Sequence, residues 1–245
     1  GFVVGIALAY GDEKFYFPLN HKKDLFNKTG YAPNYVWKNL NKKIFQNEKV
    51  TKVFHNAMYD VCWIRAVTKK MVKGPIVDTM IAASVIDENR MRYSLDSLAK
   101  DYKIGSKNKY DLEEKALDQH GISDPMSNMH KLPHSLVKDY AEQDVNLTLK
   151  LWNIFEKIIK TPVKTESKNK KTLENIFNLE TSLFPCLVDM RFTGVRIDKK
   201  KAETLGKDLE KRKERIVRGI KKRTGIAIEI WAASSVQKLL DQQNI

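Results

Sequence analysis

The stretch VFHNAMYDVCWIRAV, residues 53–67, runs from a strand-like segment through a polar turn into an amphipathic helix. Residues three or four apart share a helix face. An apolar stripe with this spacing contains one acid, and its members are Ala57, Asp60, Val61, Ile64 and Val67. An ionised carboxylate on a buried face is costly unless an arginine, backbone donors or a metal ion compensates it. We therefore expect Asp60 to have a specific partner.

A second acid occupies the same kind of position in a longer helix. The periodicity of residues 135–160 predicts one long helix, and Asp144 lies on its apolar stripe. Each acid follows a polar or aromatic residue by one helical turn, Asn56 before Asp60 and Tyr140 before Asp144. A buried ion pair or a helix cap would explain either acid alone. Together the two acids could bind Mg²⁺, which prefers carboxylate oxygens, and a nearby phenol could orient an attacking water.

Strands and helices alternate along the first two thirds of the chain, which predicts an α/β layered domain. The predicted elements are a β-hairpin in residues 1–19, short strands ending at Phe54 and Asp78, helices 34–48, 57–70 and 79–86 with Asp78 as N-cap, a helix in 92–102, and a loop-rich region 105–132. Residues 162–171 have the composition of an exposed linker. They divide a first domain, 1–161, from a second region, 172–245, which is predicted to be mainly helical.

Composition favours a protein that binds a polyanion. The chain carries a formal net charge of +14, and residues 199–223 hold 12 Lys or Arg against four acids. Basic side chains that neutralise phosphates release condensed counterions, so this helix is a candidate surface for nucleic acid. No apolar run reaches the length that a membrane helix needs. The two cysteines, Cys62 and Cys186, are expected to be reduced thiols in the core, which favours a cytoplasmic location.

The motifs HNAMYD (55–60) and YAEQD (140–144), with the blocks VGIALAY, VDTMIAASVI and SLDSLAKDY in order around them, resemble the DEDDy 3′-5′ proofreading exonuclease domain of family A DNA polymerases. Beyond the linker, LETSLFPCLVDMRFTGVRID resembles the entry into the polymerase domain, and the basic helix with SSVQKLLDQQNI resembles the start of its thumb. The resemblance implies a ribonuclease H-like fold, a mixed sheet flanked by helices, followed by a helical segment.

The resemblance also implies roles for individual residues. Asp60 and Asp144 would be ligands of two Mg²⁺ or Mn²⁺ ions, and Tyr140 would position the hydrolytic water. The residues that would contact the nucleic acid are His55, Asn56, Tyr59 and Arg92. The implied partners are the single-stranded 3′ end of DNA in the exonuclease site and duplex DNA on the basic helix. A monomer in the cytoplasm of a bacterial or phage-infected cell is the expected setting.

One family motif is missing from these residues. The Asp-x-Glu strand that supplies further metal ligands is expected before Gly1, and the adjacent acids Asp12 and Glu13 lie in a predicted turn and cannot replace it. We therefore expect weak metal binding and slow cleavage by these residues alone. Two other readings stay open, a ribonuclease D-like exoribonuclease and a catalytically inactive DNA-binding module. An in-frame Asp-x-Glu strand upstream would favour a nuclease over the inactive module.

Overall fold

The computed structural model describes residues 1–21, 33–107, 109–162 and 172–242. The chain forms two compact units, Gly1–Phe192 and Thr193–Ile245. Nearly all of the predicted linker, 163–171, lies outside the described residues. The first unit therefore continues beyond the predicted linker, while the assignment of residues 172–245 to a separate functional region stays a prediction.

The amino-terminal hairpin forms as predicted. Strands β1 (Gly5–Tyr10) and β2 (Glu13–Pro18) pair antiparallel, with Tyr10 opposite Glu13. Gly11 turns the chain with a φ of 57°, a left-handed conformation that glycine adopts without steric cost.

A pair of parallel strands positions the acidic residues. Strand β3 (Lys52–Phe54) lies beside β4 (Ile76–Asp78), and Phe54 is opposite Asp78 at their carboxyl ends. Helix α2 (Ala57–Thr68) begins three residues after β3, and α3 (Thr79–Ile86) begins directly after β4. Two helices therefore start at one edge of this sheet. Within the described residues the four strands form two separate two-stranded sheets, in a unit that is mostly helical.

The remaining helices of the first unit surround these strands. They are α1 (Pro33–Leu40) with a π-helical turn at Asn41–Phe45, α4 (Leu95–Asp101), α5 (Lys109–His120), the short α6 (Pro125–Asn128) with a 3-10 turn at Met129–Lys131, α7 (His134–Lys160) and α8 (Glu174–Thr193). The loop prediction for 105–132 was therefore wrong over α5, which buries Leu112 and Ala116.

The long helix α7 is the central support of the first unit. It packs against both strands of the hairpin, against β3, and against α3, α4 and α5. Its carboxyl-terminal half buries Leu147, Leu151 and Phe155 completely, and burial of each such side chain contributes about 1.5–3 kcal/mol. Asp144 lies just before this buried stretch, so packing fixes the position of its backbone.

The second unit contains α9 (Lys199–Thr224) and α10 (Ala233–Gln242). The side chain of Asp198 caps α9 by accepting a hydrogen bond from the Lys201 N–H at 3.0 Å. Gly225 ends the helix in the left-handed conformation, with a φ of 75°. The predicted basic helix is thus confirmed, and it has no buried residue.

Two further expectations concern the cysteines and the membrane. Both cysteines are free, as predicted, but Cys186 is exposed on α8, so its assignment to the core was wrong. Cys62 is only partly buried. Among the described helices, none has the length and apolar character to cross a membrane.

Candidate active site

Asp78 is the residue around which the carboxyl edge of the parallel strands is built. Its side chain is only 5% exposed. One oxygen, Oδ1, accepts hydrogen bonds from the backbone N–H groups of Asn56 at 2.9 Å and Met80 at 2.8 Å, and Oδ2 accepts one from Ala57 at 2.7 Å. A single carboxylate therefore satisfies amide groups at the start of both α2 and α3. The sequence predicted only the cap of α3.

Asn56 enters α2 in a left-handed conformation, with φ 64° and ψ 55°. Asparagine is one of the few residues other than glycine that adopts this conformation readily. Its backbone is held by Asp78, and its exposed side chain makes no capping hydrogen bond. The Asn56 side chain, a predicted nucleic-acid contact, thus lies on the protein surface next to the carboxyl ends of β3 and β4.

His55 connects the two parallel strands. Its Nδ1 lies 2.9 Å from Thr79 Oγ1, and this hydroxyl donates a hydrogen bond to the Phe54 carbonyl at 3.0 Å. Burial lowers the pKa of His55, and the positive charge of Lys107 lowers it further, while the Asp78 charge acts in the opposite direction. His55 is therefore close enough for the charges of both Asp78 and Lys107 to change its pKa.

Asp60 lies one turn into α2, partly buried beside Ala57 and Val61, which are fully buried. Burial raises its pKa to about 7, and the like charge of Asp78 contributes to the rise. Val67, the last member of the predicted stripe, is 41% exposed. Asp60 thus occupies an environment that disfavours its ionised form unless a positive charge is supplied.

Asp144 forms the other acidic position, together with Tyr140 and Lys107. The Lys107 ammonium lies 2.7 Å from Asp144 Oδ2 and 5.1 Å from the centroid of the Tyr140 ring. The second carboxylate oxygen, Oδ1, is buried and has no hydrogen-bond partner among the described residues. One oxygen of Asp144 is therefore paired, and the other is an unused acceptor.

Burial dominates the electrostatics of this cluster. It raises the pKa of Asp144, and the ion pair with Lys107 offsets only part of the effect. It also raises the pKa of Tyr140, to which the Asp144 charge adds. Burial lowers the pKa of Lys107, but the charge of Asp144 and hydrogen bonding to Asp144 and Tyr140 outweigh it, so the net pKa is raised. Tyr140 is thus a protonated phenol and Lys107 an ammonium at neutral pH.

Two other predicted contacts lie on the surface. Tyr59 is 59% exposed and packs edge-on against Trp63, with ring centroids 6.5 Å apart. Arg92 is exposed in the connection before α4. No described interaction joins Arg92 to the acidic residues.

The structure thus brings Tyr140 and Asp144 together directly, whereas no described interaction joins Asp60 to Asp144. His55 lies near both Asp78 and Lys107, the partner of Asp144, because the charges of both residues act on it. Sequence reasoning missed Lys107 and the double role of Asp78. The position of Asp78, at the end of a strand parallel to β3, could have indicated that role, but Lys107 had no comparable signal.

The unpartnered buried oxygen of Asp144 and the buried carboxylate of Asp60 each have the chemistry of an oxygen ligand for a hard divalent cation. Within the described part of the chain, no group of three or more His, Cys, Asp or Glu side chains is arranged to bind a metal ion. The fit therefore rests on Asp60 and Asp144. Binding sites of open α/β sheets lie at this carboxyl edge of the strands.

Comparison with known proteins assigns the family. Residues 5–160 match the family of 3′-5′ exonuclease domains, and this match spans well over half of the chain. The chain belongs to this family, and the predicted resemblance is confirmed. Family membership implies a ribonuclease H-like fold for this region.

The relatives are DNA polymerases. The chain is 29% identical over 243 residues to DNA polymerase DpoZ of Acinetobacter phage SH-Ab 15497, covering 98% of this chain and 35% of the phage protein. It is 26% identical over 205 residues to DNA polymerase I of Borreliella burgdorferi (strain ATCC 35210 / DSM 4680 / CIP 102532 / B31), covering 80% of this chain and 19% of that protein. The chain thus spans about a third of the length of the phage relative.

Proposed function

We propose that this chain is the proofreading region of a family A DNA polymerase, which hydrolyses phosphodiester bonds at the 3′ ends of DNA. The family match covers residues 5–160, and the named relatives are DNA polymerases, which favours DNA synthesis over a ribonuclease D-like role. The observation that carries the site assignment is Asp144, whose side chain interacts with Tyr140 and has one buried oxygen, Oδ1, without a hydrogen-bond partner among the described residues.

In this proposal Asp60 and Asp144 hold Mg²⁺ or Mn²⁺, with two ions in the complete domain. The ions supply the positive charge that two-metal phosphodiester hydrolysis requires. Tyr140 stays protonated because of burial and the Asp144 charge, so its hydroxyl can hold the attacking water by a hydrogen bond. Asp60, in contrast, must be ionised to bind a metal ion. Its burial disfavours the ionised form, and a bound cation compensates that cost.

The surface residues around this edge would bind the single-stranded 3′ end. Asn56, next to His55, lies at the start of α2 with its side chain exposed. The exposed ring of Tyr59 lies on the first turn of the same helix. Aromatic rings stack on unpaired bases with little sequence preference. Arg92 is further away along the chain and would contact the phosphate backbone.

The second unit would bind duplex DNA in the manner of a polymerase thumb. Helix α9 exposes its basic side chains along 26 residues, and its ends carry Lys199, Lys200, Lys222 and Arg223. Contacts of this kind bind phosphates and give affinity without sequence preference.

Degradation of 3′-end-labelled single-stranded DNA tests the proposal. Protein expressed from the complete coding sequence is expected to shorten the strand from its 3′ end with Mg²⁺ or Mn²⁺. Asp144→Ala should abolish the reaction, and the isosteric Asp144→Asn should do the same without altering the size of the side chain. Unchanged cleavage by both variants, with folding confirmed by circular dichroism, would remove Asp144 from the site.

A further inference from the structure

Lys107 is less exposed than the other ion-paired lysines described in the first unit, whose side chains are 43–57% exposed. Lys100, Lys115 and Lys160 pair with acids one helical turn away on the surface, and their side chains are 56%, 43% and 57% exposed. The Lys107 side chain is 21% exposed, and its partner Asp144, at 25%, lies 37 positions further along the chain. The fold therefore brings a half-buried ammonium specifically to the acid that the proposed function uses.

The backbone around Lys107 is fixed from two sides. The Lys107 N–H donates to Asp96 Oδ1 on α4 at 3.0 Å. Gln143, the neighbour of Asp144 on α7, donates from Nε2 to the Ser106 carbonyl at 3.1 Å. The loop is thus attached to both helices, and the ammonium stays near Asp144 even when the ion pair opens.

The Lys107–Asp144 pair and a bound divalent cation oppose one another. A cation on the unpartnered Oδ1 of Asp144 would lie within a few ångströms of the ammonium that contacts Oδ2. Like charges at this separation repel strongly in a half-buried site. When Asp144 takes a cation, the ammonium needs another anion within reach of its four-carbon side chain, and in an exonuclease site that anion is a phosphate of the strand.

Resting on the proposed function, we propose that Lys107 is a substrate-binding residue of this site. It pairs with Asp144 and holds it in position while no cation is bound. When Asp144 binds the cation, the Lys107 side chain moves and its ammonium pairs with a phosphate near the DNA 3′ end. The same charge thus protects an empty acidic site and then binds the substrate backbone.

The salt dependence of DNA binding tests the substrate contact without catalysis. A fluorescent single-stranded oligonucleotide is titrated with the 245-residue chain at several salt concentrations, each with enough Mg²⁺ to saturate a site at which these residues bind the ion only weakly. Lys107→Met keeps most of the apolar length of the side chain and removes the charge. Loss of one phosphate contact should weaken binding several-fold and reduce the slope of log K against log salt by about 0.7, the value for one contact on a single strand.

Matched variants separate this effect from a change of structure or total charge. Lys107→Arg keeps the charge and should keep the wild-type slope. Lys109→Met removes a charge two residues away, from a 52% exposed lysine paired with Glu113 on α5, and should also keep it. A purely structural Lys107 would leave the slope of Lys107→Met unchanged, and that result would overturn the substrate contact.

Cation binding tests the other half of the proposal. Mn²⁺ binding, followed by electron paramagnetic resonance, should become tighter in Lys107→Met by about tenfold, because the competing ammonium is gone. Equal or weaker Mn²⁺ binding by this variant would overturn the opposition between Lys107 and the cation. If wild-type chain fails to bind the oligonucleotide at all, the proposed function fails as well. If it binds and Lys107→Met matches it in salt slope and Mn²⁺ binding, only the Lys107 proposal fails.

Discussion

Replacing Asp78 by Asn should destabilise the first unit, because no amide can reproduce its three acceptor contacts. Asn keeps one oxygen, which can still accept from Asn56 and Met80. The NH₂ group then faces the Ala57 N–H, a donor on a residue that is 0% exposed. An unsatisfied buried donor costs about 1–3 kcal/mol. Loss of the negative charge at two helix N-termini adds about 0.3–1 kcal/mol for each helix.

The expected loss is therefore about 2–5 kcal/mol, which corresponds to a fall in Tm of roughly 4–20 °C for a unit of this size. Thermal unfolding followed by circular dichroism at pH 5.5 measures it. At this pH folded Asp60, with its pKa near 7, is mostly protonated. Relief of its repulsion with Asp78 then contributes little to the comparison.

Asp124→Asn is the matched control for this measurement. Asp124 caps the short helix α6 by accepting from the backbone N–H of Ser127 at 3.2 Å, and it is exposed. Asn is as good an N-cap as Asp, so this change should be nearly neutral. Equal losses of stability in the two variants would refute the reasoning that Asp78 joins two helices through buried contacts.

Three further outcomes are expected. Folded Asp60 has its pKa raised from 3.8 to about 7, so its contribution to stability is fully present below pH 3.8 and is lost as the pH rises to 7. Asp60→Asn should therefore be more stable than wild type at pH 8, by about 2–4 kcal/mol, and similar near pH 4 in urea unfolding. Tyr140→Phe should lower the cleavage rate by about 100-fold with unchanged oligonucleotide affinity, because the attacking water loses the hydroxyl that orients it; weaker binding would point to a substrate contact instead. Lys211→Glu with Arg215→Glu, on one exposed face of α9, should reduce the salt slope of duplex binding by about two, and an unchanged slope would exclude this face.

Local patterns predicted those elements that depend on local chemistry. Helix α3 runs from Thr79 to Ile86 as predicted, because a capping aspartate directly precedes an apolar run. Helix α5 was missed, because most of its residues are polar and only Leu112 and Ala116 are buried. Gly105 and Gly121 on either side of it are typical of loops, and both have positive φ values in turns that flank the helix.

The candidate site shows the same division between local and tertiary information. The helical spacing of Asp60 and Asp144 indicated two acids on inward faces, and both are partly buried. The pairing of Asp144 with Lys107 depends on how a loop packs against α7, and nothing in the local sequence specifies it. The exposure of Cys186 likewise depends on which face of α8 packs against the rest of the unit, and the local sequence does not specify that face.

The left-handed backbone of Asn56 separates two tasks that one residue performs. Its conformation turns the chain from β3 into α2, and its amide group is left over for another use. Glycine would make the same turn without the amide, whereas valine or isoleucine would strain it. Under the proposed function, polar substitutions that tolerate this turn would change the contact with a DNA end while the backbone that joins β3 to α2 is preserved.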